Sequence, residues 1–81
     1  MEIVYKPNAR KGLRKIPLKD AEKIMDALEN IAKDKTKDLD IKPLTGRDGY
    51  RLRIGKWRAI YELEGDTLSV VDIGPRGQIY K

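Results

Sequence analysis

A chain of 81 residues, 40% hydrophobic and 38% charged, has the composition of one small folded domain spanning residues 1–81, with a heavily ionised surface and no room for a second domain. Its formal net charge of +5 points to an acidic partner, whether nucleic acid, anionic membrane or acidic protein. With no cysteine and no histidine, it lacks disulfides, thiolate chemistry, the usual acid-base group near neutral pH and the commonest zinc ligand.

The basic charge is uneven. Residues 1–19 carry six Lys/Arg against Glu2 alone, whereas residues 20–46 carry five against seven acids, so the start of the chain is basic and the middle is not. Glu2-Ile3-Val4-Tyr5 reads as a strand. Pro7-Asn8 then supplies a stop and an N-cap for a helix from about Ala9 to Ile16, with a thin apolar stripe of Ala9, Leu13 and Ile16. Arg10, Lys11, Arg14 and Lys15 cover the rest of that helix, either as a solvated face or as a polyanion contact. After Pro17, the spacing of Ala21, Ile24, Met25, Leu28, Ile31 and Ala32 predicts a helix over Leu18 to Lys33 with one buried face, Met25 included in the core.

Asp34 to Asp48 is polar and turn-rich and reads as a loop, although Leu39, Ile41 and Leu44 alternate as in a segment lying extended against a sheet. Tyr50 to Ile54 and Trp57 to Tyr61 flank a two-residue Gly55-Lys56 turn, which predicts a hairpin. If Ile54 pairs with Trp57, then Tyr50, Leu52, Ile54, Trp57, Ala59 and Tyr61 share the core-facing side. Arg51, Arg53 and Arg58 share the other side, with Arg53 directly opposite Arg58. Like charges so placed destabilise a sheet by up to ~1 kcal/mol, and a polyanion ligand would give a reason to keep them. A further turn at Glu64-Gly65-Asp66 leads to a central strand over Thr67 to Ile73, apolar on both faces. Gly74-Pro75-Arg76-Gly77 bends the chain into a short last strand, Gln78-Ile79-Tyr80. The predicted fold is α+β, of order β-α-α-β-β-β with a small terminal strand: a two-helix hairpin on one face of a mostly antiparallel sheet. No apolar run approaches the ~20 residues of a membrane span, and the N-terminus lacks a signal-peptide pattern, so a cytoplasmic protein without membrane contact is expected.

The order of these elements, together with Ile3-Val4-Tyr5-Lys6-Pro7, Pro43-Leu44-Thr45-Gly46, Gly49 to Tyr61 and Val71-Asp72-Ile73-Gly74-Pro75-Arg76-Gly77-Gln78-Ile79-Tyr80, resembles the RelE/ParE toxin superfamily of type II toxin-antitoxin pairs over nearly the whole chain. The resemblance implies the same fold and one of two activities: RelE-like cleavage of messenger RNA in the ribosomal decoding site, or ParE-like inhibition of DNA gyrase without a hydrolytic site. It implies a cognate antitoxin, with ribosome and mRNA as further partners of the RelE branch, and neither metal nor cofactor. Carried over by position, the RelE site falls on Arg51, Arg53, Arg58, Arg76 and Tyr80. This chain departs from the pattern with Pro75 and Gly77 flanking Arg76, where relatives often carry basic residues, and with arginine on the first hairpin strand, where they often carry lysine.

The chemistry is consistent with that assignment. Cleavage by the RNA's own 2′-hydroxyl needs a proton acceptor, charge to stabilise the phosphorane, and a donor for the departing 5′-oxygen. Arg58 and Arg76 suit the clamping of phosphate, and Tyr80, near arginines, suits a base or a stacking group. Arg51, Arg53, Lys56, Arg10, Lys11, Arg14 and Lys15 are the candidate substrate contacts. A plain RNA-binding module remains the third reading.

Overall fold

The computed structural model describes residues 1–75. Seven elements follow in order: β1 (Glu2–Tyr5), α1 (Pro7–Arg14), α2 (Leu18–Ala32), β2 (Asp40–Pro43), β3 (Tyr50–Ile54), β4 (Trp57–Glu64) and β5 (Thr67–Pro75). They form an α+β fold in which both helices cover one face of a five-stranded sheet of order β1-β5-β4-β3-β2. All neighbours are antiparallel except β1 and β5, which run parallel because the whole helical hairpin intervenes between β1 and the sheet's return strands.

Local chemistry explains most boundaries. Pro7 occupies the first helical position of α1, where its missing N–H costs nothing, so Lys6 rather than Asn8 is the N-cap. Helix α1 stops at Arg14, two residues before the expected end, as Pro17 approaches. In α2, Ala21, Ile24, Ala27, Leu28 and Ile31 are buried, the stripe a 3.6-residue period requires. Met25 departs from expectation: it is 40% exposed, because its position lies at the margin of that stripe. Helix α2 ends in a Schellman motif, with Lys35 N–H donating to the Asn30 carbonyl at 2.8 Å and Asp34 N–H to that of Ile31 at 3.0 Å. This places Asp34 in the left-handed region at φ 63°.

The segment read as a loop contains strand β2, which pairs with β3 and matches Asp40 with Arg53 and Ile41 with Leu52. Alternation of Leu39 and Ile41 carries this strand, and its shortness and Pro43 mark it as an edge. The hairpin has the expected register: Ile54 opposite Trp57 and Arg53 opposite Arg58. Gly55 takes φ 56° in the turn while Lys56 does not, the sign pattern of a type II′ turn that matches strand twist.

Strand β5 is central, as expected, but its apolar residues do not simply serve two faces. The register with β4 slips between Ile60 and Tyr61, leaving Val71 as the extra residue of a bulge. Leu68 and Val70 before the bulge and Ile73 after it therefore all join the main core. Beyond Val70 no strand among the described residues pairs with the outer side of β5. There Ile73 N–H donates to its neighbour Asp72 at 3.0 Å, and α1 packs against the Ile73 carbonyl through Gly12. The predicted strand Gln78-Ile79-Tyr80 lies outside the described residues.

Candidate functional site

The hairpin pleat sorts aromatic and basic side chains to opposite faces. Under the helices, Trp57 and Tyr61 are buried, and Tyr61 stacks on Tyr50 with ring centroids 5.4 Å apart. Trp57 Nε1 donates to Asp20 Oδ2 at 2.9 Å, tying the first turn of α2 to the start of β4. Burial, with Tyr50 beside it, pushes the Tyr61 hydroxyl up to about 12, and burial with Glu29 nearby also raises Tyr5. These phenols are packing groups.

On the helix-free face, the pairing register lays out a row from Asp40 through Arg53 and Arg58 to Gly74, and beside it a row from Lys42 through Arg51 and Ile60 to Asp72. Arg51, Arg53 and Arg58 thus share one face, as the sequence predicts, around a buried Ile60. The acidic partner of Arg51 and Arg53 is Asp40 of β2. Arg51 Nη2 donates to Asp40 Oδ1 at 2.8 Å and Arg53 Nε to Asp40 Oδ2 at 2.9 Å, one carboxylate bridging two guanidinium groups. The hydrogen bond from Arg53 is the main cause holding the Asp40 carboxyl below the usual carboxylate range, aided by the charges of Arg53, Arg51 and Lys42. Arg51 Nε is buried without a hydrogen-bond partner among the described residues. Sequence reading missed Asp40; its place between Leu39 and Ile41, whose side chains turn to the core, was the signal that put it on the arginine face.

The other candidates separate. Lys11 of α1 and Lys15 just past its end line a cleft of about 430 Å³ with Asn8, Trp57, Gly74 and Pro75, at the side of β5 that no described strand covers beyond Val70. Arg10 and Arg14 are exposed outside that lining. Lys56 Nζ lies 5.2 Å from the Trp57 ring centroid, which ties it to the helix-bearing side rather than to the arginine row. Arg76 and Tyr80 lie outside the described residues; the described chain ends at Pro75, opposite Trp57, one step past the pairing of Gly74 with Arg58. No cluster of carboxylates that could hold a metal ion occurs among the described residues. No helix among them is long and apolar enough to cross a membrane.

Known proteins share this architecture. The RelE chain of the RelB-RelE antitoxin-toxin complex from Methanococcus jannaschii is 26% identical, with a TM-score of 0.80 over 95% of this chain and 94% of that one. The archaeal RelE-RelB complex from Pyrococcus horikoshii contains a chain 21% identical, with a TM-score of 0.76 over 95% and 96% of the two chains. The intact E. coli RelBE complex contains one 17% identical, with a TM-score of 0.74 over 95% and 98%. No curated protein matches by sequence. The family model described as the ParE toxin of the type II toxin-antitoxin system parDE matches residues 3–80. With nearly its whole length inside that match, and with the fold of the RelE structures, the chain belongs to the ParE toxin family of type II toxin-antitoxin systems, within the RelE/ParE superfamily.

Proposed function

We propose that this toxin is a metal-independent endoribonuclease of the RelE kind, cutting messenger RNA in the ribosomal decoding site and so stopping translation. The observation that carries this reading is the gathering of Arg51, Arg53 and Arg58 on one face of β3 and β4, in a register where Arg53 and Arg58 stand opposite each other. Such a cluster is a poor device for stability and a good one for a phosphodiester. In the reaction, the 2′-oxygen of the RNA attacks the adjacent phosphorus, its proton passes to a base, and the 5′-oxygen leaves with a proton, giving a 2′,3′-cyclic phosphate. Arg58 and Arg76 stabilise the extra phosphorane charge, and Tyr80 takes the proton or stacks on a base. Arg51 and Arg53 hold the flanking backbone, and Lys11 and Lys15 extend the positive surface around the end of β5. The protein works in the cytoplasm, held inactive by a cognate antitoxin, as the RelE chains of the solved complexes are paired with RelB.

The match to the ParE model supports a second reading, a non-hydrolytic toxin directed at DNA gyrase. Primer extension on a translated message after induction separates the two. Breaks inside codons at the decoding site are expected; intact messages accompanied by damaged DNA would overturn the ribonuclease reading.

A further inference from the structure

We infer that Asp40 is an internal phosphate mimic: its carboxylate occupies the guanidinium forks of Arg51 and Arg53 that an RNA phosphate would use, and holds down the affinity of this face for RNA. The inference rests on the ribonuclease reading and deepens it by naming a residue that sets substrate affinity. Asp40 places one oxygen on each arginine, at 2.8 Å and 2.9 Å. Two oxygens on one centre bridging two guanidinium groups is also the geometry in which a phosphodiester presents its two non-bridging oxygens. In this contact the Arg51 side chain is 12% exposed and that of Arg53 33% exposed.

The carboxylate itself is displaceable. Its side chain is 39% exposed, and it stands at the first residue of the short edge strand β2. Asp40 stands directly across from Arg53, faces outward and cancels part of the charge that a polyanion would meet. The expected result of its presence is a face that holds loose RNA weakly and engages firmly only where a phosphate is presented in place, at the cost of moving Asp40 aside.

The test compares wild type, Asp40→Asn and Asp40→Asn combined with Arg53→Ala, each checked for a cooperative thermal transition, in binding a single-stranded oligoribonucleotide by fluorescence anisotropy across a range of salt. Asp40→Asn keeps the shape and removes the charge. It is expected to bind about fivefold tighter near 0.1 M salt, with a log-log salt slope steeper by about 0.7, as one more phosphate contact requires. Adding Arg53→Ala should cancel the gain. A merely structural Asp40 would lose affinity on substitution, so unchanged or weaker binding by Asp40→Asn overturns the inference, as does a gain that survives Arg53→Ala. Ribosomal cleavage by the wild type is read separately. Its absence beside tighter binding by Asp40→Asn removes the ribonuclease reading and leaves the mimic standing; its presence beside unchanged binding does the reverse.

Discussion

Gly12 of α1 lies against Ile73 of β5 so closely that a β-carbon on Gly12 would fall 1.9 Å from the Ile73 carbonyl oxygen and 2.8 Å from its carbon. The obstacle is backbone in a central strand, so the helix would have to move. In an ordinary helix Gly→Ala stabilises by about 1 kcal/mol, but here Gly12→Ala is expected to destabilise by about 3 kcal/mol, lowering the melting temperature by roughly 10–20 °C. Thermal unfolding followed by circular dichroism checks both the sign and the size.

Asp34 closes α2 in the left-handed conformation at φ 63°, where glycine is preferred, and puts a negative charge at the negative end of the helix. Asp34→Gly is expected to stabilise by about 0.5–1 kcal/mol, raising the urea midpoint with no change in the slope of the transition.

The Trp57–Asp20 hydrogen bond couples the start of β4 to α2. Trp57→Phe keeps most of the ring packing and removes the donor, and Asp20→Ala removes the acceptor. A double-mutant cycle in urea is expected to return a coupling of about 1–2 kcal/mol.

Burial pushes the Tyr61 hydroxyl from an ordinary 10 to about 12, so the unfolded chain releases that proton first as pH rises. The associated stability is complete below pH 10 and is lost between 10 and about 12. Urea midpoints measured through this window should fall more steeply for wild type than for Tyr61→Phe, with a parallel delay of tyrosinate absorbance in the folded protein.

Arg58→Ala is expected to reduce ribosomal mRNA cleavage by about a hundredfold or more, with folding retained, as removal of one group stabilising transition-state charge does elsewhere. Arg10→Ala and Arg14→Ala, on the exposed outer surface of α1, are expected to cost several-fold at most. Cleavage rates on translating ribosomes, with melting curves as the control, check the contrast.

Much of this fold was legible because period and turn chemistry act locally. The stripe of α2 and the hairpin about Gly55-Lys56 follow from spacing alone, and with the hairpin came the register that opposes Arg53 to Arg58. What was hidden depends on partners far away in sequence. The strand at Asp40–Pro43 has few residues and only two clear alternations, and it becomes a strand because β3 offers it an edge. The bulge at Val71 cannot be read from Val70-Val71 as such; two adjacent valines look like a strand buried on both faces, and only the pairing with Ile60 and Tyr61 shows the shift. Likewise Gly12 looks like an ordinary weak point in a helix until the β5 carbonyl is set beside it. Of the candidate site, the three hairpin arginines were legible from the pleat, whereas the carboxylate shared by Arg51 and Arg53 was not, because it lies on the strand that was missed.

The parallel pairing of β1 with β5 has a consequence for synthesis. Glu2 to Tyr5 are made well before the strand that receives them, which begins at Thr67 and follows both helices and three other strands. Closing so long a span is slow by comparison with the local hairpins, so β1 joins the sheet after them. Until Thr67 to Val70 have been made and paired, the sheet that carries the arginine face lacks one of its edges.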